Sequence, residues 1–508
     1  MEEIGVNNKR IAINTMMLYV RMLLIMAITI YTTRVLLKVL GIEDYGVYNI
    51  VSTFVTFLTF ITNALTSAMQ RYFNVALGEN DTEKYNKVFS TSINILLIFS
   101  VAIVIIGETI GLWFFNTQLN IPESKTVSAF WVYQLSLLTF VVNTLRTPYN
   151  ASVIAHEKMA FYAYLSLFEV AMRLGSVFAL LLIPFDKLIS YALLYLLLNA
   201  LVNVIYAGYC SRNFKGCKYR FYRDKDTFKD LLGFSGWTLL GQGAVILHNQ
   251  GVMVIINRIF SVVANAAMAI ANQVTAAVDM FVNNFQTAFK PQLIQTYAKG
   301  NMDSHYKLLY RASKFSFFLM VILLVPLILN IDYILSLWLG NYPEYTREFV
   351  IYILISHLIN ALSTPLFTSL LATGKIRNYQ IGLAVSFITA LFAVYLCLAN
   401  GAEPYYAAIV AIVLQIWIWI FRLYYTGKMT RLSYSLYFKN VIIQCVCVTA
   451  FACLPIFVCD ESQTFLAFIF CSIATVAYSG FIIIVFGLDK FERLFIINKV
   501  KRFVHYKL

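Results

Sequence analysis

Charge is what this chain has least of. Only 13% of its 508 residues are Asp, Glu, Lys or Arg, where a soluble chain carries about a quarter. Long polar stretches are also missing. The longest, Ser211 to Leu232, is a linker, so no soluble domain is inserted between the apolar segments. The eight cysteines show no zinc-ligand spacing. Cys445, Cys447, Cys453 and Cys471 lie in or near apolar segments, where cysteine behaves as a small hydrophobe. Cys210 precedes the linker and Cys217 lies within it, and the charge distribution below places the linker on the cytoplasmic side, where disulfides are rare. These absences exclude a soluble enzyme, a disulfide scaffold and a zinc site.

What fills the chain is apolar sequence. Hydrophobic residues make up 60% and the mean hydropathy is +0.73. They fall into fourteen blocks, from 12–33 to 464–487, each long enough for the roughly 20 residues a membrane helix needs. The fold class this predicts is an all-α polytopic membrane protein. The first block is too long for a signal-peptide core, contains Arg21 and lacks a small-residue cleavage site, so it is expected to stay as a helix.

Basic residues gather on the cytoplasmic side of short loops. With the N-terminus inside, thirty of the thirty-nine Lys and Arg fall on inner segments, including Arg422 and a basic tail from Lys490. Six fall on outer loops, and Arg21, Arg146 and Arg173 remain within apolar blocks. Both termini are therefore expected to be cytoplasmic. The net charge of +14 reflects topology and lipid headgroups, not nucleic acid. The linker mixes basic residues with Phe, Tyr and Leu, a pattern that also suits single-stranded nucleic acid. Between two membrane spans it is expected instead to be an interfacial helix on anionic lipid.

The most specific signal is a repeat. Asn143–Tyr162 (NTLRTPYNASVIAHEKMAFY) and Asn360–Tyr379 (NALSTPLFTSLLATGKIRNY) are identical at eight of twenty positions, at a constant offset of 217. A weaker match joins 75–92 to 296–313. Blocks 1–6 thus correspond to blocks 7–12, and an even number per half sets both halves the same way up. The expected domains are a six-helix lobe over 1–210, an amphipathic linker over 211–232, a second six-helix lobe over 233–430, and two further helices with a tail over 431–508. A parallel duplication of this kind places a cavity between the halves. Pro148 and Pro365 occupy equivalent places in the repeat. Each removes a backbone donor and crowds the preceding turn, giving a pair of kinks that either shape a hinge or only tune packing.

The opening NKRIAINT, the stretch VLGIEDYGVYNIVSTFVTFLTFITNALTSAMQRYFN and its second-half echo FQTAFKPQLIQTYAKGN resemble polysaccharide-biosynthesis flippases of the multidrug/oligosaccharidyl-lipid/polysaccharide exporter superfamily. The plan of six, six and two helices is similar too. The resemblance implies export of an undecaprenyl-pyrophosphate-linked oligosaccharide across a bacterial cytoplasmic membrane by alternating access. Its implied partners are that lipid, membrane lipids and other polysaccharide assembly proteins. Lipid II flippases of this superfamily carry cavity arginines, and Arg21 resembles them in chemistry and helix.

Intramembrane charges cost about 2.5–3.5 kcal/mol each on insertion scales, so transport chemistry is sought among them. Arg21 lies roughly 15 Å into the first helix at 1.5 Å per residue. With Arg146 and Arg173 it forms a substrate-binding set suited to a pyrophosphate, since guanidinium forks match phosphoryl oxygens. Each has a structural alternative. Glu169 and Arg173 are spaced for an intrahelical pair, Arg146 is placed to snorkel, and Arg21 has no carboxylate one turn away. Coupling to protons or sodium points to Glu169, Asp279, His248 and His357, because carboxylates and imidazoles titrate usefully when buried. A lone histidine in an apolar helix is as readily a packing residue. No cofactor or metal is expected.

Two other classes compete. A cation-coupled multidrug antiporter needs carboxylates in its N-terminal lobe, where this chain places three arginines. A membrane-embedded polymerase or acyltransferase needs a large outer loop or a compact acid/base cluster. The longest outer loop here runs only from Phe114 to Val127.

Overall fold

The computed structural model describes residues 2–41, 44, 48, 59–118, 125–222, 224–260, 262–459, 462–489, 492 and 493. Most of the first part of the second apolar block, residues 119–124 of the loop after Phe114, Lys490 and the tail beyond Arg493 lie outside them.

Among the described residues the chain is helical and has no strand. We number the long helices α1 (Glu2–Leu40), α2 (Thr59–Gly78), α3 (Thr82–Ile106, continued through Gly107–Gly111 to Gln118), α4 (Thr126–Ala155), α5 (Met159–Ala179) and α6 (Lys187–Asn213). There follow α7 (Lys225–Ile259), α8 (Val262–Ala298), α9 (Met302–Leu329), α10 (Thr346–Thr373), α11 (Arg377–Ala399) and α12 (Tyr406–Thr430), then α13 (Tyr434–Val458) and α14 (Phe465–Gly487). Eleven helices among the described residues are long and apolar enough to cross a membrane. The other three are α2, α5 and α8. Glu169 and Arg173 lower the hydropathy of α5, and Asn272, Asp279, Asn283 and Asn284 lower that of α8. Large apolar side chains such as Leu182 and Phe457 are more than four-fifths exposed, which only a hydrocarbon surrounding makes tolerable. The protein is a multi-pass integral membrane protein.

The chain divides into two compact units. One holds Met1–Gln242 with Ile294–Gly300, the other Gly243–Leu293 with Asn301–Leu508. The division falls within α7 and near the end of α8. Within the first unit α4 packs on α6, α3 on α4, and α5 on α6. Within the second, α10 packs on α12, α9 on α10, and α11 on α12. The neighbour pattern repeats with a shift of six helices.

The interfacial helix expected over the linker takes another form. Residues 214–222 are a non-helical strap, and helix resumes at Lys225 and continues into α7. Asn86, Ser90 and Asn94 form a polar stripe at four-residue spacing on α3, and the strap has backbone groups and a hydroxyl to offer it. Asn86 Nδ2 donates to the carbonyls of Gly216 (2.9 Å) and Lys218 (2.6 Å). Ser90 Oγ accepts from the Arg220 amide at 3.1 Å, and Asn94 Oδ1 from the Tyr219 hydroxyl at 2.9 Å. Gly216 is required by this close approach, because any side chain would collide with the Tyr85 ring. The cysteines, Cys210 and Cys217 included, are free thiols.

Pro148 and Pro365 are both buried inside continuous helices. Pro365 cannot bond the carbonyl four residues back, and that carbonyl, of Ala361, accepts from Gln286 Nε2 of α8 at 3.4 Å.

Candidate functional site

In the first unit the intramembrane charges converge on α5. Tyr162, Glu169 and Arg173 are spaced by seven and four residues, which sets them along one helix face. Packing of α1 on α5 brings the Arg21 guanidinium over the Tyr162 ring, 4.4 Å from its centre. Such a cation–π contact is worth about 0.5–2 kcal/mol and leaves the charge in place. Arg21 Nε is buried and has no hydrogen-bond partner.

Arg146 comes from α4. Its Nη1 donates to Glu169 Oε2 at 3.1 Å, and its guanidinium lies 5.9 Å from the centre of the Tyr206 ring. Tyr206 is within electrostatic reach of Arg21, Arg146, Glu169 and Tyr162, so these five side chains form one cluster. Arg173 stands one turn further along α5. Its Nε donates to the Tyr191 hydroxyl at 3.2 Å and its guanidinium lies 5.0 Å from the Tyr195 ring.

The spacing on α5 suggested a Glu169–Arg173 pair, but Glu169 bonds across to Arg146 instead. Arg173 is oriented toward tyrosines of α6. Of the three arginines, one is neutralised by a carboxylate. Arg21 and Arg173 form no ion pair among the described residues. The arrangement keeps two permanent cations on a tyrosine-rich surface, which suits an anion with several oxygens.

In the second unit Asp279 of α8 meets His357 of α10, with Oδ2 and Nδ1 2.6 Å apart. The two atoms lie within ion-pair distance, but the geometry is not that of a hydrogen bond, and Nδ1 is buried without a hydrogen-bond partner. His248 of α7 is buried against Phe387, their rings 5.3 Å apart, with Asn249 Oδ1 3.3 Å from its Nδ1. No hydrogen bond or ion pair among the described residues links it to the Asp279–His357 pair. No cluster of three or more metal-ligating side chains occurs among the described residues.

Sequence reasoning missed the tyrosines and the Asp279–His357 pairing. Tyr162 had a usable signal, since it closes the repeated segment and is identical to Tyr379 in the second copy. Arg422, counted with an inner segment, is a residue of α12 bonded to α10 and α11.

The model of a family described as polysaccharide biosynthesis protein matches residues 8–297, and the MatE model matches 244–399. The uncharacterized membrane protein EpsK of Bacillus subtilis (strain 168) is 21% identical over 351 residues, 68% of each chain. A crystal structure of MATE in the straight conformation superposes with a TM-score of 0.69 at 13% identity, covering 84% of this chain and 97% of that one. A MOP superfamily transporter from Pyrococcus furiosus, described as having a reverse polarity of binding pocket that suggests a different function, gives 0.64 at 14% identity, covering 83% and 96%. At these identities the structural likeness is one of fold.

Proposed function

The chain belongs to the polysaccharide biosynthesis protein family, transporters of the MOP superfamily, and on that premise we propose that it moves an undecaprenyl-pyrophosphate-linked oligosaccharide from the inner to the outer leaflet of a bacterial cytoplasmic membrane. The observation that carries this reading is Arg21, a guanidinium seated on Tyr162 with no carboxylate partner among the described residues. In the cycle we infer, Arg21 and Arg173 attract the pyrophosphate while Arg146 is held by Glu169. The sugars make looser polar contacts, and alternating exposure of the site to the two leaflets carries the lipid across. Both termini are cytoplasmic in this scheme, and proton or sodium exchange at Asp279 and His357 supplies the drive.

The test has two parts. Deleting the protein leaves one lipid-linked oligosaccharide accumulated on the inner leaflet, identified by mass spectrometry, with one surface glycan depleted. Arg21→Ala abolishes export at normal membrane abundance, and Arg21→Lys retains part, since the charge survives without the fork. Normal export by a stable Arg21→Ala protein overturns the reading.

A cation-coupled antiporter is the second reading, favoured by the MatE match over residues 244–399 and by the Asp279 carboxylate beside His357. It requires that loss of the protein raise sensitivity to cationic drugs and leave surface glycans unchanged.

A further inference from the structure

The second copy of the repeat builds a guanidinium site of its own. Arg422 lies eight residues before the end of α12, about 12 Å along the helix axis, and its side chain reaches α10 and α11. Nε donates to the Tyr379 hydroxyl at 3.0 Å. Nη1 donates to Asn360 Oδ1 at 3.0 Å and to Ser363 Oγ at 2.6 Å. The guanidinium also lies 5.5 Å from the Phe367 ring centre. Asn360 and Tyr379 are the first and last residues of the repeated segment.

All these partners are neutral. No Asp or Glu among the described residues forms an ion pair with Arg422. A guanidinium has five N–H donors, and the three bonds above use Nε and Nη1. Nη2 bonds no described residue and is not among the sealed polar atoms. The charge is thus fixed in orientation but not neutralised, inside a helix long and apolar enough to cross a membrane, where an isolated cation is costly. A side chain arranged only for packing gains nothing from leaving that charge uncompensated. A fixed cation with two free donors on one nitrogen fits two oxygens of a phosphoryl group, and prior fixing reduces the entropy lost on binding.

We propose that Arg422 is a phosphoryl-binding subsite of the C-terminal unit, with Tyr379, Asn360 and Ser363 as positioning residues. The ligand is a phosphoryl oxyanion, supplied either as a small anion from water or as the headgroup of an anionic lipid. The site does not depend on the oligosaccharide reading, because it requires only the phosphoryl chemistry.

The experiment uses the full chain carrying Arg21→Ala and Arg173→Gln, which removes the first unit's two carboxylate-free guanidiniums. Reconstituted in phosphatidylcholine nanodiscs, it is titrated with inorganic pyrophosphate by calorimetry. A parallel sample with phosphatidylglycerol is examined by native mass spectrometry for retained anionic lipid. Adding Arg422→Gln is expected to weaken at least one probe tenfold or more, and Tyr379→Phe about threefold. Loss of the pyrophosphate signal identifies the small anion as the source. Loss of retained phosphatidylglycerol alone identifies the headgroup. If Arg422→Gln folds and both probes are unchanged, the proposal is overturned and Arg422 is a packing residue. Should Arg422→Gln fail to fold, Arg422→Lys and Tyr379→Phe decide: binding unchanged in both overturns the proposal equally. Glycan export by single Arg21 variants is read separately, so failure here and failure of the export reading are distinct results.

Discussion

The two units use the same scaffold to hold a guanidinium but draw it from opposite sides. In the second unit α12 supplies Arg422 and α10 supplies the acceptors Asn360 and Ser363. Shifting by the repeat offset of 217 places Arg146 where Ser363 stands. Cys210 Sγ donates to the Tyr149 carbonyl as Thr426 Oγ1 donates to the Leu366 carbonyl, which places Tyr206 where Arg422 stands. The helix pair is the equivalent one, α4 with α6 against α10 with α12, but the charge has exchanged partners across it. Asn143, the counterpart of Asn360, consequently has an Oδ1 that is buried and without a partner. Tyr162, the counterpart of Tyr379, receives a guanidinium on its face from α1 where Tyr379 accepts one at its hydroxyl. A duplicated backbone therefore does not fix electrostatics. The charge sits on the first helix of the pair in one unit and on the second helix in the other.

That comparison is broken most severely at Arg146. Arg146→Ala strands the half-buried Glu169 and is expected to destabilise the protein by about 3 kcal/mol, seen as reduced abundance and melting temperature. Arg146→Ala with Glu169→Ala recovers most of the loss. If the single variant is as stable as the wild type, the pair does not join α4 to α5 and the exchange described above is cosmetic.

A milder contrast sets the two asparagines against each other. Asn360→Leu removes an acceptor from a charged donor and costs about 2 kcal/mol. Asn143→Leu removes an oxygen that bonds nothing, so its melting temperature stays within a degree or two of the wild type. Equal effects at both positions would mean the repeat is energetically symmetric after all.

The smallest effect is expected at the end of α4, outside the spanning segments. His156 stacks on Phe214 with ring centres 3.9 Å apart, and burial pushes its pKa below the ordinary histidine value. A histidine depressed in the folded state binds its proton more readily when unfolded. Stability is therefore full above about pH 6.5 and declines as pH falls through that value. The melting temperature should drop by a few degrees between pH 7 and pH 5, and His156→Phe should flatten that slope. A wild-type curve already flat over this range removes the strap-side histidine from the account.

The fold class was legible because apolar blocks of membrane length are a collective signal that no single residue can blur. The repeat was legible for the same reason, carried by eight identities at one offset. The three intramembrane arginines were also visible, since each stands out against apolar neighbours. Their partners were not. Helical spacing ranks neighbours on one helix, so it offered Arg173 to Glu169 and had no access to Arg146 on α4. Arg422 was hidden by the opposite error. It lies four residues from the end of an apolar block, and counting loop charges drew it out of the helix. Asp279 and His357 were each singled out, but their meeting depends on how α8 crosses α10, and no periodicity encodes that.

The strap on α3 has a consequence for how this chain is made. Asn86 bonds Gly216 and Lys218 across 130 and 132 positions of sequence. At the usual 5–20 residues per second, roughly ten seconds of synthesis separate the two sides of each bond. During that interval α3 exists without the groups that complete its polar stripe, while α4, α5 and α6 are still being added. The polar stripe of α3 is covered only when residues past α6 fold back onto a helix made much earlier. A ribosome stalled at residue 213 would leave six helices whose third still lacks its cover, and quality control would meet that intermediate before any part of the second unit had been translated.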